Sequence, residues 1–309
     1  MTPSANQRRL LWLSVILSAF GYLAFALGSG WHQVVDAIAR IGPLPVLAAL
    51  LLSLLNYLLR GERWGLYLRQ DAHPLPRGLN LRIYFAGFAL TTTPGKAGEL
   101  VRSLFLKPHG VEYHHSAAMF FSERLADLVA IVALTALGLT HLPNGGVAFL
   151  LLVAALLAGL LLLRTRLPER LLRACAGERR SLHWLADVAA SSRPFWRGRL
   201  FWQAQGLSAM AWLAEGLGAW LILRALAPDI DITYALFAYG FGMLIGALSF
   251  LPGGLGGTEA TLSGLLVLQG LSLPEAVAAT VIIRLATLWF AVLLGLIAMV
   301  SLPSRNPAP

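Results

Sequence analysis

The chain alternates long apolar runs with short polar turns, and that alternation leaves few folds open to it. The runs cover residues 10–27, 44–59, 116–139, 147–163, 201–226 and 276–302, and a helix needs roughly 20 such residues to cross the hydrocarbon of a bilayer. Backbone N–H and C=O groups find no water there, so each crossing run must be helical. Composition agrees: of 309 residues, 57% are hydrophobic and 13% charged, with a mean hydropathy of +0.70, beyond the usual range of soluble domains. The expected fold is an all-α polytopic membrane protein of about 6–8 transmembrane helices, forming one integral membrane domain over residues 1–309.

Charge sets the orientation. The net charge of +9 is carried by arginine, because Lys96 and Lys107 are the only lysines. Arg8 and Arg9 precede the first run, Arg60, Arg63, Arg69, Arg77 and Arg82 follow the second, and nine arginines lie in the loop 164–199 against Glu169, Glu178 and Asp187. Excess arginine beside apolar runs marks cytoplasmic segments facing anionic lipid. It predicts a multi-pass protein of the cell inner membrane with a cytoplasmic N-terminus, and it argues against nucleic acid as a partner. Residues 31–41, WHQVVDAIARI, place Val34, Val35, Ile38 and Ile41 at helical spacing, the pattern of an amphipathic helix on the outer surface. The lone Cys175 has no CxxC partner, and no P-loop or HExxH occurs, so neither catalytic residues nor a cofactor are expected. His109, His114 and His115 flank the start of the 116–139 run without a second ligand cluster in the sequence, and they read as solvated side chains, not a metal site.

The stretch TTTPGKAGELVRS, residues 91–103, breaks this pattern. The apolar run before it, 81–93, is too short to cross and ends at Pro94-Gly95, as a re-entrant half-helix would. A counterpart occurs later: PGKAGE, ending at Glu99, matches PGGLGGTE, ending at Glu259, and each carboxylate is followed 25 positions on by Arg-Leu-Ala, beginning at Arg124 and Arg284. Two repeat halves follow, about 44–140 and about 200–302, linked by the basic cytoplasmic loop 164–199. One half is entered by an inward run and the other by an outward run, so the Pro-Gly loops are expected as two inverted re-entrant hairpins of a transporter-like fold. The alternative is that residues 234–250 form a true crossing, which would change the span count.

Ionisable groups at membrane depth cost several kcal/mol unless paired or hydrated, so they are the candidate substrate-binding residues. These are Lys96, Glu99 and Arg102 from the first loop, Glu123, Arg124 and Asp127 from the helix after it, and Gly256, Glu259 and Arg284 from the second unit. Loop glycines and the N-terminal ends of half-helices favour an anion such as a phosphate. Other roles stay open: Glu99 and Glu259 as partners that lock Arg124 and Arg284, Arg102 as a residue reaching to headgroups, and Glu215 as a proton-coupling group or a partner of Arg224.

TTTPGKAGELVRSLFL, ERLADLVA, LPGGLGGTEATLSGLL and IIRLATLWF together resemble the transmembrane region of lysylphosphatidylglycerol synthases, a flippase-like domain, over about residues 10–302. The resemblance implies a bacterial or archaeal inner-membrane protein that handles lipids with charged headgroups. Carried over by position, it points to the same nine residues. The soluble domain to which aminoacyl transfer belongs in the full synthases has no counterpart before Pro309, so the stand-alone expectation is non-enzymatic. The reading is a lipid flippase or transporter that moves or binds anionic or aminoacylated phospholipid, or a polyprenyl-phosphate-linked lipid. The alternatives are a non-transporting partner of a glycosyltransferase or other lipid-modifying enzyme, docked through residues 164–199, and a membrane-embedded transferase.

Overall fold

The computed structural model describes residues 31–138 and 145–302. The apolar run 10–27 expected as the first crossing lies outside the described residues. Helices follow in the order α1 (Trp31–Ile41), α2 (Pro43–Gln70), α3 (Arg77–Phe88), α4 (Arg102–Leu106), α5 (Tyr113–Ala136), α6 (Gly145–Leu163), α7 (Leu167–Ala176), α8 (Arg180–Ser192), α9 (Gly198–Leu226), α10 (Ile232–Leu248), α11 (Gly257–Leu268), α12 (Leu273–Arg284) and α13 (Phe290–Ser301). Short 3-10 turns at Pro94–Val101 and Pro252–Gly254 carry the two Pro-Gly motifs, and a π-turn, Leu285–Trp289, joins α12 to α13. No strand occurs among the described residues. The chain is an all-α membrane protein.

By length and composition, three helices among the described residues suit a crossing: Pro43–Gln70, Gly198–Leu226 and the continuous Leu273–Ser301. The pair Phe149–Leu163 and Leu167–Ala176 adds a fourth if its 75° bend lies within one span. α5 is long enough, but it carries Glu123, Arg124 and Asp127. α2 shows how the sequence is turned inside out for lipid. Leu44, Leu47, Leu51 and Leu55 are exposed on one face, while Ser53, Asn56, Arg60 and Arg63 are buried on the other. Helical spacing produces both stripes. The helix runs to Gln70, so Arg60 and Arg63, expected in a cytoplasmic loop, are interior residues, whereas Arg69, Arg77 and Arg82 are exposed.

α2 packs along α9, and Gly218 is the close point: a Cβ there would sit 3.2 Å from the Ala49 Cα. Around this pair the two expected repeat halves exchange partners, α3 lying against α13 and α10 against α5. Small residues permit both approaches. A Cβ on Gly295 of α13 would be 2.2 Å from the Ala89 nitrogen, and one on Gly240 of α10 would be 3.1 Å from the Leu134 Cβ. Within the π-turn, Thr287 O accepts from the Tyr57 hydroxyl. Residues 164–199 are not an irregular basic loop but a helical pair, α7 and α8, with α8 packed on α5.

Candidate functional site

The two Pro-Gly turns meet: they are in contact, and a Cβ on Gly253 would stand 3.6 Å from the Thr92 Cα. Gly253 has φ +63° and Gly256 φ +84°, a region that a side chain strongly disfavours. The 3-10 turn Pro94–Val101 and the start of α4 direct Glu99 and Arg102 inward, both buried.

Six of the nine candidates come together there. Arg102 binds Glu99 at 2.7 Å and Glu123 at 2.9 Å, and its Nε donates to Glu99 O at 3.1 Å. Arg124 lies 3.0 Å from Glu123, 3.3 Å from Asp127 and 3.5 Å from Glu99. Thr91 donates to Glu99 at 2.8 Å, and Tyr84 donates to Glu123. The guanidinium of Arg102 is also held over the rings of Trp64 and Tyr84 at 4.3 and 4.8 Å, a favourable place for a desolvated cation. Arg102 therefore does not reach to headgroups; it is a buried hub.

Two further members come from α2. Arg63 binds Asp127 at 2.8 Å and Glu123 at 3.2 Å, and donates to Ser208. Arg60 lies 3.0 Å from Asp127 and 3.4 Å from Glu123. The polar stripe Ser53, Asn56, Arg60, Arg63 in the sequence signals them, since four polar positions on one face of an apolar helix have to be buried in protein.

Lys96 stands differently. It is half-buried, its backbone is left-handed at φ +56°, and its side chain has no ion-pair or hydrogen-bond partner among the described residues. A non-glycine residue in that region costs about 1–3 kcal/mol. With Lys96, which stands within electrostatic reach of Arg124 and Glu99, the cluster sets five cationic side chains, Arg60, Arg63, Lys96, Arg102 and Arg124, against the carboxylates Glu99, Glu123 and Asp127. Glu215 is buried on α9 and accepts from the Tyr239 hydroxyl at 2.7 Å. It is not paired with Arg224, which is exposed and stacks on Trp220.

The remaining three candidates form a separate unit. Arg284 Nε binds Glu259 at 2.7 Å and a terminal nitrogen donates to Gly253 O at 2.6 Å, while Glu259 accepts from the Gly256 N–H at 2.6 Å. Glu259 therefore both caps α11 and pins Arg284 to the turn. The carboxylate–arginine pairs spaced by 25 residues are ion pairs in both units; Glu99 shares its network with Glu123 and Asp127, and Glu259 joins Arg284 to the second turn.

A cavity of about 480 Å³ opens beside the cluster between α5, α7 and α8. Its walls are apolar, among them Phe121, Leu128, Leu172, Leu185 and Trp196, and Arg124 contributes a charge. Arg124 keeps 20% of its side chain accessible, whereas Arg60, Arg63 and Arg102 keep 4% or less. Lys96 and Arg124 are accordingly the cations that a ligand can reach.

Comparison with known proteins places the chain. Residues 11–295 match the family described as Lysylphosphatidylglycerol synthase TM region. A UPF0104 membrane protein of Methanothermobacter thermautotrophicus is 25% identical over 308 residues, covering 91% of this chain and 90% of the relative. A UPF0104 membrane protein of Pyrococcus horikoshii is 22% identical over 325 residues, covering 92% and 95%. Another, of Methanocaldococcus jannaschii, is 25% identical over 232 residues, covering 71% and 95%. The match runs through both Pro-Gly motifs and all nine charged or glycine positions they organise, and the chain belongs to the lysylphosphatidylglycerol synthase transmembrane-region family.

Proposed function

We propose that the chain is a lipid carrier of the cell inner membrane: it binds lipids with an anionic, phosphate-bearing headgroup and passes them between leaflets without chemistry of its own. The observation that carries this reading is the charge of the buried cluster, five cations against three carboxylates, or four with Glu215. Buried charge of one sign is costly. An anionic group at Lys96 and Arg124 offsets the excess, with arginine offering planar bidentate donors and lysine a point charge. The apolar cavity beside Arg124 suits the rest of a lipid and lies in the size range of small-molecule sites, about 300–1,000 Å³.

The two repeat halves, about 44–140 and about 200–302, give the carrier its mechanism under this reading. The contact of the two broken turns at the centre fits inverted repeats rocking about a shared site. Glu259 and Arg284 fix the second turn, while the first presents the headgroup subsite.

Binding by the purified chain in neutral detergent tests the reading. Native mass spectrometry with equal amounts of phosphatidylglycerol and phosphatidylcholine should show the anionic lipid retained preferentially, and Lys96→Gln should reduce that preference at least about tenfold, the loss of roughly 1.4 kcal/mol. Equal retention of both lipids would refute the headgroup site.

A further inference from the structure

At the end of α2 the chain turns so that Asp71 and His73 face the first turn of α5. The turn is a Schellman motif: the His73 N–H bonds Leu68 O at 2.9 Å and the Ala72 N–H bonds Arg69 O at 3.2 Å. Ala72 occupies the left-handed position with φ +60°, where glycine is the usual residue. A strained backbone is thus kept at a place that fixes two side chains with ligand atoms. His115, 44 residues away, completes the group. Its Nδ1 lies 2.8 and 2.9 Å from the two Asp71 carboxylate oxygens, and His73 Nδ1 lies 3.0 Å from one of them and 2.7 Å from the Asp71 carbonyl oxygen, so a cation bound through that nitrogen would displace its proton. The ligand atoms of all three residues fall within 4.8 Å of one another, and none of the three residues is fully exposed.

We infer that Asp71, His73 and His115 form a binding site for a borderline divalent transition cation of the zinc class. Two imidazole nitrogens and one carboxylate oxygen are the donor set such ions prefer over calcium or magnesium. Metal–ligand bonds of about 2.0–2.2 Å in tetrahedral array separate neighbouring donors by about 3.3 Å. The observed 2.8 and 3.0 Å separations are a few tenths of an ångström shorter than that value, as expected of the hydrogen-bonded site without a cation. Three protein ligands leave a fourth position for water, which distinguishes the site from a closed structural one. His114 stacks edge-on against His115 at 4.3 Å but stands outside the group.

The site lies eight residues beyond Arg63 on α2 and eight residues before Glu123 on α5, about 12 Å along each helix. A bound cation would therefore clasp the two helices that carry most of the charged cluster, without touching the cluster itself. The sequence alone hides this site because its two parts are far apart along the chain and meet only through the packing of the α2 turn on α5.

The test is zinc alone, titrated into the purified full chain in metal-free detergent and followed by calorimetry. One saturable equivalent is expected, with cobalt giving the intense visible bands of a tetrahedral site. His73→Gln and His115→Gln should each lower the affinity at least about tenfold, and His114→Gln should leave it unchanged. Absence of a saturable equivalent in the unaltered protein overturns the inference without any variant. Retention of full affinity in the His73→Gln, His115→Gln double variant, or its loss in His114→Gln alone, shows that other ligands hold the ion.

Discussion

Lys96, on the first Pro-Gly turn, and Arg284, at the end of α12, are cations of the two related units in opposite situations. Arg284 is buried and neutralised by Glu259, with Gly253 O taking a further donor. Removing it in Arg284→Met strands a carboxylate in the interior, and a loss of about 3–5 kcal/mol is expected. Thermal unfolding in detergent should show it, with Glu259→Gln in the same chain restoring part of the stability. Lys96 has no ionic partner among the described residues, so Lys96→Gln should change stability by no more than about 0.5 kcal/mol. A melting temperature that falls as far for Lys96→Gln as for Arg284→Met would mean that Lys96 is a structural ion after all. The sequence groups Lys96, Glu99, Arg102, Glu123, Arg124 and Asp127 with Gly256, Glu259 and Arg284 as one site; Glu99, Arg102, Glu123, Arg124 and Asp127 share one ion-pair network, whereas Glu259 and Arg284 pair apart from it. Spacing did not identify Arg60 and Arg63, because an arginine at the end of an apolar run looks the same whether the helix stops there or continues for another ten residues. Only the polar stripe from Ser53 betrays the continuation.

Among elements, the contacts of α3 with α13 and of α10 with α5 depend on backbone approach. A Cβ on Gly295 falls 2.2 Å from the Ala89 nitrogen, which α13 can relieve only by moving away from α3. Gly295→Ala should therefore cost about 1–3 kcal/mol. Gly264 of α11 has open space around its missing Cβ, and Gly264→Ala should instead gain about 0.5–1 kcal/mol from helix propensity. If chemical or thermal unfolding gave both changes the same sign, the close packing of α13 on α3 would be wrong. Helices α2, α6, α9 and the joined α12 and α13 were legible as apolar runs, to within a turn except where α2 runs on past its apolar run to Gln70. The helical pair α7 and α8 was not. The nine arginines of residues 164–199 suppress hydropathy, and the pair is placed by the packing of α8 against α5, with ion pairs such as Arg173 to Asp187 at 3.0 Å between the two helices, neither of which a hydropathy pattern contains.

At the scale of the whole molecule, two broken turns meet beside a buried cluster with more cations than carboxylates, flanked by an apolar cavity open at Arg124. Under the proposed function, that combination would bind an anionic headgroup and shelter its chain. The most direct measurement is translocation of a fluorescent phosphatidylglycerol in proteoliposomes, read by quenching from the outside, for the unaltered chain and for Lys96→Gln reconstituted at equal density. Expected is protein-dependent movement that falls at least about tenfold in the variant, equivalent to roughly 1.4 kcal/mol on the barrier, while the Gly264→Ala protein moves lipid at the unaltered rate. Equal rates for the Lys96→Gln and unaltered proteins, or no movement above protein-free vesicles, would contradict a headgroup-binding carrier.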